Sequence, residues 1–255
     1  MQHVRLQNQR DNHFVNTLRT YLTIVFDRIH GDAFGPLTVD TLAGKKYGFM
    51  FVDGKADVNG RRRRWLKLTE NNTADTGYYA IQELIQDLDR KYGRHMKSIR
   101  TDNGGEFTST LIDQLLVEKN VKRELTAVDS PQENGIAEQG ITQNYIQAMC
   151  MMAHAGLMKS HPDLFGEALL HAVHVNNAML VGEDTQGWIG NIPIFGSVTW
   201  VNVPKEDRTK MDYRARLGLW MGVAPNHGRK SNKVYMLDTK QVIISRHVEI
   251  WDGIM

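Results

Sequence analysis

Apolar residues recur along this chain with two periods, which divide most of it into strands and helices. The apolar run that begins at Ile24 and ends at Asp32 predicts a first strand, and residues 47–52 predict a second. Residues 65–69 alternate apolar and polar positions, as a strand does, and a turn is expected before them at residues 57–60. Three consecutive strands are therefore expected at the start of the folded chain.

Strand and helix periods alternate in the next part of the chain. Residues 74–92 carry apolar side chains at helical spacing, and Gly93 can end that helix. Residues 96–101 predict a strand with Asp102 at its end, and Ser109 predicts the N-cap of the next helix. A further strand and two more helices are predicted at residues 121–126, 134–157 and 163–181. The order β-β-β-α-β-α-β-α predicts an α/β layer architecture.

The pattern changes after residue 181. Residues 182–196 are rich in glycine and predict a loop, and strand-like stretches follow it. These stretches lie at residues 198–203, 217–223, 233–237 and 242–250, and they predict a small β domain. We therefore predict a loose or helical lead-in at residues 1–22, a core domain at 23–184, a linker at 185–195 and a small β domain at 196–255.

Composition places the chain among ordinary globular proteins. Its 255 residues are 41% apolar and 24% charged, and the single cysteine, Cys150, excludes an intrachain disulfide and a cysteine-rich zinc site. One cysteine fits a reducing compartment. No apolar run approaches the roughly 20 residues that span a bilayer, and the first residues lack an apolar signal core. We expect a soluble, intracellular protein.

The formal net charge of +2 is too small to indicate nucleic-acid binding by itself. A DNA-binding function would need cations that are clustered locally. Each basic cluster of the sequence is either a solvated face or a DNA contact. The clusters are Arg61, Arg62, Arg63 and Arg64; Lys119, Lys122 and Arg123; Lys205, Arg208, Lys210, Arg214 and Arg216; and a looser C-terminal group.

Three acids carry the most specific chemical signal. Asp32 ends the first predicted strand, Asp102 follows a later strand, and Glu138 lies in a helix after a gap of thirty-five residues. Taken singly, they fit a strand end, a tight turn and a helix surface. Together they indicate a metal site for phosphodiester chemistry, because Mg²⁺ prefers carboxylate and water oxygens. Crowded carboxylates repel one another without a cation, so we expect the three to converge closely enough to share metal ions.

The motifs around these acids resemble the integrase catalytic core of copia-type LTR retrotransposons, which are related to retroviral integrases and the wider RNase H-like superfamily. The resemblance covers roughly residues 25–250. Its core motifs are residues 30–36, 47–53, 100–107, 124–127, 130–135 and 137–138. Residues 195–196, 200–204, 219–222 and 243–246 resemble the SH3-like segment that follows the core in these polyproteins. The implied fold is a mixed five-stranded sheet with helices on both faces, plus a small SH3-like barrel.

The resemblance also implies an activity. Asp32, Asp102 and Glu138 would be the catalytic ligands of a two-metal Mg²⁺ or Mn²⁺ site that trims element DNA at its 3′ end and joins that end to target DNA. The implied partners are both DNAs and further copies of the chain, and the implied place of integration is the nucleus. No membrane partner is expected. Residues that would lie near DNA are Asn103, Gln132, Asn134, Arg61, Arg62, Arg63 and Arg64.

The chain departs from the family pattern at several positions. No cysteine precedes Cys150, so the zinc module that usually precedes the core is not expected, nor is zinc. No positive charge follows Glu138 until Lys159, although family members carry cations there for DNA contact. Gly140 costs about 1 kcal/mol of helix propensity relative to alanine. The arginine run either replaces the missing charge or forms a solvated loop.

These departures favour a second hypothesis beside the active enzyme. The chain would then be an inactive or domesticated integrase-derived module that binds DNA or protein. An RNase H-type or Holliday-junction nuclease would use similar acids, but the integrase-like segment after residue 195 argues against it.

Overall fold

A computed structural model describes residues 26–125, 135–180, 192–211, 213–224, 227 and 231–251. The chain divides into two compact units. The first comprises Met1–Phe34, Gly48–Gly140 and Asn176–Gln186, and the second comprises Gly35–Tyr47, Ile141–Val175 and Gly187–Met255. The predicted lead-in and most of the predicted linker lie outside the described residues, and the predicted domain boundaries stay predictions.

A five-stranded mixed sheet forms the centre of the first unit. Its strands are β1 (Arg28–Phe34), β2 (Tyr47–Ala56), β3 (Arg62–Thr69), β4 (Ser98–Thr101) and β5 (Lys122–Leu125). They are ordered β3-β2-β1-β4-β5, with β1 antiparallel to β2 and parallel to β4, and with β4 parallel to β5. The predicted α/β class with a mixed five-stranded sheet is confirmed.

Helices α1 (Ala74–Tyr92) and α2 (Thr110–Glu118) pack on the apolar face of this sheet. Paired residues Ile29 and Ile99 lie in the same buried cluster as the apolar stripes of both helices. Gly93 ends α1 in the left-handed conformation, with φ of 57°. At the start of α2 the Ser109 hydroxyl accepts a hydrogen bond from the Ile112 N–H at 3.2 Å, as an N-cap does.

Helix α3 spans Gly135–His154, and it ends earlier than the predicted helix at residues 134–157. Gly156 adopts φ of 69°, so the chain turns there before a short helix α4 (Leu157–Ser160). A 3-10 turn (Pro162–Leu164) then leads into α5 (Phe165–Ala178). No helix in the described part of the chain has the length and apolar character needed to cross a membrane.

The exposed edge of the first sheet is closed by asparagine side chains. Asn177 accepts a hydrogen bond from the Arg64 N–H at 2.9 Å and donates one to the Arg64 carbonyl at 2.7 Å. Asn176 donates to the Arg62 carbonyl at 2.9 Å. These amides occupy backbone groups of β3 that an edge strand otherwise leaves open to pairing with another chain.

The second unit contains a separate, fully antiparallel five-stranded sheet. Its strands are β6 (Val198–Asn202), β7 (Ala215–Val223), β8 (Asn232–Met236), β9 (Gln241–Ser245) and β10 (Val248–Trp251), in the order β10-β6-β7-β8-β9. Val201, Val234 and Met236 form a buried cluster with Ile243 and Val248 packed against it. The small β domain is therefore present. The single strand predicted at residues 242–250 is two strands, β9 and β10.

Candidate functional site

The register of two parallel strands brings Asp32 and Asp102 together. Strand β1 pairs with β4 at a constant offset, with Ile29 opposite Ile99 and His30 opposite Arg100. Extending the same offset by two residues places Asp32 beside Asp102. Neighbouring strands are about 4.8 Å apart, and Asp102 is near enough for its charge to raise the pKa of Asp32.

Backbone amides hold one oxygen of each carboxylate. The Ala33 N–H donates to Asp32 Oδ1 at 2.9 Å. The Gly104 N–H donates to Asp102 Oδ1 at 3.1 Å, because the chain turns back directly after β4. These bonds orient both side chains while one oxygen of each is left for another ligand. Residues 102–105 can therefore form a tight turn while Asp102 still offers an oxygen to a metal ion.

Glu138 lies in the first turn of α3 and is exposed. Its neighbours Ala137 and Gly140 are buried, so they lie on the side of the helix that faces away from Glu138. At Gly140 an added β-carbon would come within 2.6 Å of Val52 Cγ2 on β2. Glycine at this position therefore permits close contact between α3 and the sheet, and that contact sets where Glu138 stands. The propensity cost of Gly140 thus has a packing reason.

The charges of Asp102 and Glu138 act on Asp32, and the assignment of the three acids to one functional site stays a prediction. Burial raises the pKa of the Asp32 carboxyl to about 7, and the negative charges of Asp102 and Glu138 add to that effect. The hydrogen bond from the Ala33 N–H lowers the pKa and partly offsets the rise. Asp32 therefore resists ionisation in this fold, and a cation placed among the acids would relieve that resistance.

Glu106 is a fourth acid at this site, and the sequence interpretation did not single it out. Its charge also raises the pKa of Asp32. Its carboxylate lies close to Gly104, where an added β-carbon would come within 2.8 Å of the Glu106 carboxyl carbon. The available signal was an acid four residues after Asp102 in the same glycine-containing segment. A glycine at position 104 leaves room for that side chain.

The carboxylates of this site are suitable ligands for magnesium, but fewer than three of them lie close enough together to hold one ion among the described residues. The acids offer hard oxygen ligands, and Mg²⁺ is commonly bound through one or two carboxylates, waters and substrate phosphates. Among the described side chains, no group of three or more His, Cys, Asp or Glu residues is arranged to hold a metal ion. Asp32 and Asp102 are thus the pair best placed as ligands, and sharing of ions by all three acids stays a prediction.

The residues predicted to contact DNA fall into separate groups. We call the group of Asp32, Asp102, Glu106 and Glu138 the acid site. Asn103 is exposed in the turn between Asp102 and Gly104, next to this site. Its DNA contact stays a prediction. Gln132 and Asn134 lie outside the described residues.

Only Arg61 of the arginine run lies outside a strand, because Arg62–Thr69 is strand β3. Arg63 is 8% exposed and Arg64 is 4% exposed; this burial argues against their predicted DNA contact, which stays a prediction. The Arg63 guanidinium lies 4.8 Å from the centre of the Tyr92 ring and donates to the Tyr92 hydroxyl at 2.8 Å. Arg62 donates to the carbonyls of Asp53 and Gly54. Arg61 is exposed, and its DNA contact stays a prediction.

Comparisons with known proteins agree with this fold. Residues 197–254 match the family Retroviral polymerase SH3-like domain. The chain is 27% identical over 209 residues to the Retrovirus-related Pol polyprotein from transposon TNT 1-94 of Nicotiana tabacum, covering 78% of this chain and 15% of that protein. It is 29% identical over 147 residues to the Putative integrase ORF3 of Spiroplasma virus SpV1-C74, covering 53% of this chain and 35% of that protein.

The chain thus combines a mixed sheet that has acids at the ends of parallel strands with a second, antiparallel sheet in the region of the SH3-like match. This chain is homologous to the retrotransposon Pol polyprotein and to the viral integrase named above, and its C-terminal sheet coincides with the SH3-like family match. The resemblance found from the sequence motifs is confirmed at this level. The chain spans well under half the length of both relatives.

Proposed function

We propose that this chain is the catalytic core and SH3-like segment of a copia-type retrotransposon integrase. Its activity would be metal-dependent trimming of element DNA at the 3′ end and transfer of that end to target DNA. The observation that carries the proposal is the gathering of acids around Asp32, where burial first, and then the charges of Asp102 and Glu138, raise the pKa of Asp32 to about 7. Clusters of acids with strongly raised pKa values are typical of functional sites.

Asp32 and Asp102 would hold Mg²⁺ or Mn²⁺ through the oxygens that the backbone amides leave available. Glu138 would complete the site from the first turn of α3. The bound cation would supply charge neutralisation at the phosphate and a more acidic water. Phosphoryl transfer requires little covalent help from the protein, so positioning of the DNA ends is the main task of this chain.

Both reaction steps are displacements at phosphorus. In the first, a water oxygen forms a bond to a phosphorus near the end of the element DNA, and the bond from that phosphorus to the element's 3′ oxygen breaks, so the element keeps a free 3′-hydroxyl and the terminal nucleotides leave with a 5′-phosphate. In the second, the freed 3′-hydroxyl forms a bond to a target phosphorus, and the bridging oxygen of the target strand leaves with a proton. Each step exchanges one P–O bond for another, so no oxidant or reductant is consumed.

The proposal includes a setting for this chemistry. Integration joins both ends of an element to one target, so two copies of the site must be held together. We therefore propose that the protein acts as a homo-oligomer on DNA and acts in the nucleus.

A specific feature favours the alternative of an inactive integrase-derived binding module. On α3 the exposed residues after Glu138 include Thr142, Gln143, Ile146 and Met149, and none is cationic. Each lost phosphate contact weakens DNA binding and reduces its salt dependence. This feature affects how strongly DNA is held and leaves the metal ligands untouched.

A strand-transfer assay with purified protein tests the proposal. Pre-trimmed element DNA and a target duplex are incubated with Mg²⁺ or Mn²⁺, and joined products are measured for the parent, Asp32→Asn and Asp102→Asn. We expect joining by the parent and a loss of at least a hundredfold in either variant. Glu118→Gln is the matched control, because it removes an exposed acid at the end of α2.

Two outcomes separate the hypotheses. Joining that persists in Asp102→Asn contradicts the assigned site. Failure of the parent to join DNA, together with metal-independent DNA binding, favours the inactive module.

A further inference from the structure

Two tryptophans stand exposed on one face of the C-terminal sheet. Trp200 on β6 is 46% exposed, and Trp251 on β10 is 67% exposed. Within the described ranges, neither indole contacts another aromatic ring and neither takes part in a hydrogen bond or cation contact. Large aromatic side chains in water lose the free energy that burial would give, so a pair of them marks a contact surface.

The pairing register shows that an acid lies next to both tryptophans. In the antiparallel pair of β10 and β6, Glu249 is opposite Trp200 and Trp251 is opposite Val198. Opposite residues share a face, so Trp200, Glu249 and Trp251 project from the same side of the sheet. The two tryptophans are diagonal neighbours, whose backbones stand about 7–8 Å apart. A flat or compact group therefore fits between the rings.

The charge at this surface selects the kind of group that binds. Glu249 is exposed and forms no ion pair within the described ranges. Arg216 on the neighbouring strand β7 is opposite Val201, hence on the other face, and it pairs with Asp238 at 2.6 Å. The Glu249 carboxylate thus lies beside two indole rings, and the faces of such rings attract cations. It would repel the phosphates of a nucleic acid.

We infer that Trp200, Glu249 and Trp251 form a binding site for a lysine or arginine side chain of a basic peptide segment in a partner protein. The ring faces would contact the cationic group, and the Glu249 carboxylate would pair with it. Among the described strands, β10 stands at the end of the sheet order and is paired only with β6. An extended peptide can therefore lie along its open edge while one cationic side chain enters between the rings.

Peptide titration against the whole chain tests this site. The probes are an extended peptide with one central arginine, the same peptide with lysine or trimethyllysine, and a neutral version with citrulline. Binding is followed by tryptophan fluorescence and by calorimetry. We expect the cationic peptides to bind and the citrulline peptide to bind at least threefold more weakly. Raising the salt concentration should weaken binding of the charged peptides.

Variants connect the binding to these residues. Trp200→Ala and Trp251→Ala should each weaken peptide binding about 3- to 30-fold, the range expected for one cation–ring contact. Glu249→Gln should weaken it and reduce its salt dependence. Matched controls are Tyr213→Ala, which removes an exposed aromatic ring elsewhere in this unit, and Glu118→Gln. Both controls should bind as the parent does.

Three results would overturn the inference. The first is equal binding of the arginine and citrulline peptides. The second is unchanged affinity in Trp200→Ala and Trp251→Ala. The third is tryptophan-dependent binding of single-stranded DNA with no binding of peptide, which would make this a base-stacking surface. DNA joining by Glu249→Gln is measured in parallel, because this inference concerns a partner protein and stands apart from the acid site.

Discussion

Gly140 of α3 lies against Val52 of β2 so closely that a β-carbon at position 140 would come within 2.6 Å of Val52 Cγ2. Val52 is buried and β-branched, so its side chain has little freedom to move away. This contact fixes the helix turn that carries Glu138. The absence of a side chain at position 140 is therefore a packing requirement of the acid site.

We expect Gly140→Ala to destabilise the protein although alanine favours helix. Overpacking costs about 1–3 kcal/mol, whereas the gain in helix propensity is about 1 kcal/mol, so a net loss of about 1 kcal/mol is expected. Urea unfolding measures this change. In a Val52→Ala background the cost should largely disappear. Gly135→Ala is the control, because a β-carbon there meets nothing within 4 Å; equal effects of both alanines would contradict the contact.

The acid site should make the response to magnesium depend on pH. The pKa of Asp32 is raised from 3.8 to about 7, so the stability that its protonation contributes is complete below pH 3.8 and is lost as pH rises through 7. A bound cation offsets the repulsion that remains above pH 7. We expect Mg²⁺ to raise the melting temperature more at pH 8 than at pH 5, measured against EDTA.

Asp32→Asn should remove most of that pH-dependent response, whereas Glu118→Gln should keep it. A magnesium response of the same size in the parent and in Asp32→Asn would mean that the ion binds elsewhere. This experiment needs no DNA, so it tests metal binding separately from the joining reaction.

His171 should make the second unit sensitive to acid. Its ring is buried, faces the Trp220 ring with 5.0 Å between centres, and stacks on His174 at 6.2 Å. Burial, and then the charges of His174 and Lys233, lower the pKa of His171 to about 3. Stability is therefore full above the usual pKa of 6.5 and is lost as pH falls from 6.5 towards 3.

We expect the free energy of unfolding to fall by about 1.4 kcal/mol per pH unit below 6.5 on account of this group. His171→Gln should be less stable than the parent at pH 7 but should lose less stability on acidification. His154→Gln, which removes an exposed imidazole at the end of α3, is the matched control. Parallel pH profiles for the parent and His171→Gln would contradict the assignment.

Arg63 should contribute to stability and have no direct effect on DNA binding. Its guanidinium lies over the rings of Tyr92 and Phe26, with 4.8 Å and 5.7 Å to the ring centres. Loss of these contacts and of the hydrogen bond to Tyr92 in Arg63→Ala should cost about 2–3 kcal/mol. Tyr92→Phe, which keeps the ring, should cost about 1 kcal/mol.

Arg61→Ala provides the contrast, because Arg61 is exposed at the turn before β3. It should leave stability within about 0.5 kcal/mol of the parent. DNA binding of both arginine variants is measured by fluorescence anisotropy at a temperature where each is folded. A loss of DNA affinity in Arg63→Ala that Arg61→Ala does not show would mean that Arg63 contacts DNA.

Local patterns predicted the elements well where the signal is contained within one element. The helix predicted at residues 74–92 has those bounds, and Gly93 and Ser109 act as the C-terminal stop and the N-cap that they were predicted to be. Capping depends on a few consecutive residues, so the sequence contains the whole interaction. The predicted strand at residues 242–250 was wrong as one strand, because pairing with different neighbours separates β9 from β10.

The burial of charged residues could not be predicted from local sequence patterns. Four consecutive arginines predict exposure, yet Arg63 and Arg64 are buried in β3. The aromatic rings that receive Arg63 come from Tyr92 and Phe26, which are distant in sequence. Similarly, glycine has a low helix propensity, and the close contact that requires glycine at position 140 is made by Val52 on another element.

From the sequence alone it was possible to predict the elements, the α/β class followed by a small β domain, and the three acids Asp32, Asp102 and Glu138 as the candidate chemical centre. These depend on residue type, periodicity and motif spacing, all of which are local properties of the chain. Only the folded chain shows that the parallel pairing of β1 with β4 brings Asp32 and Asp102 near one another, and that the charge of Glu106 also acts on Asp32. Strand register and burial arise from contacts between distant segments, so a fold is needed before those groups acquire neighbours.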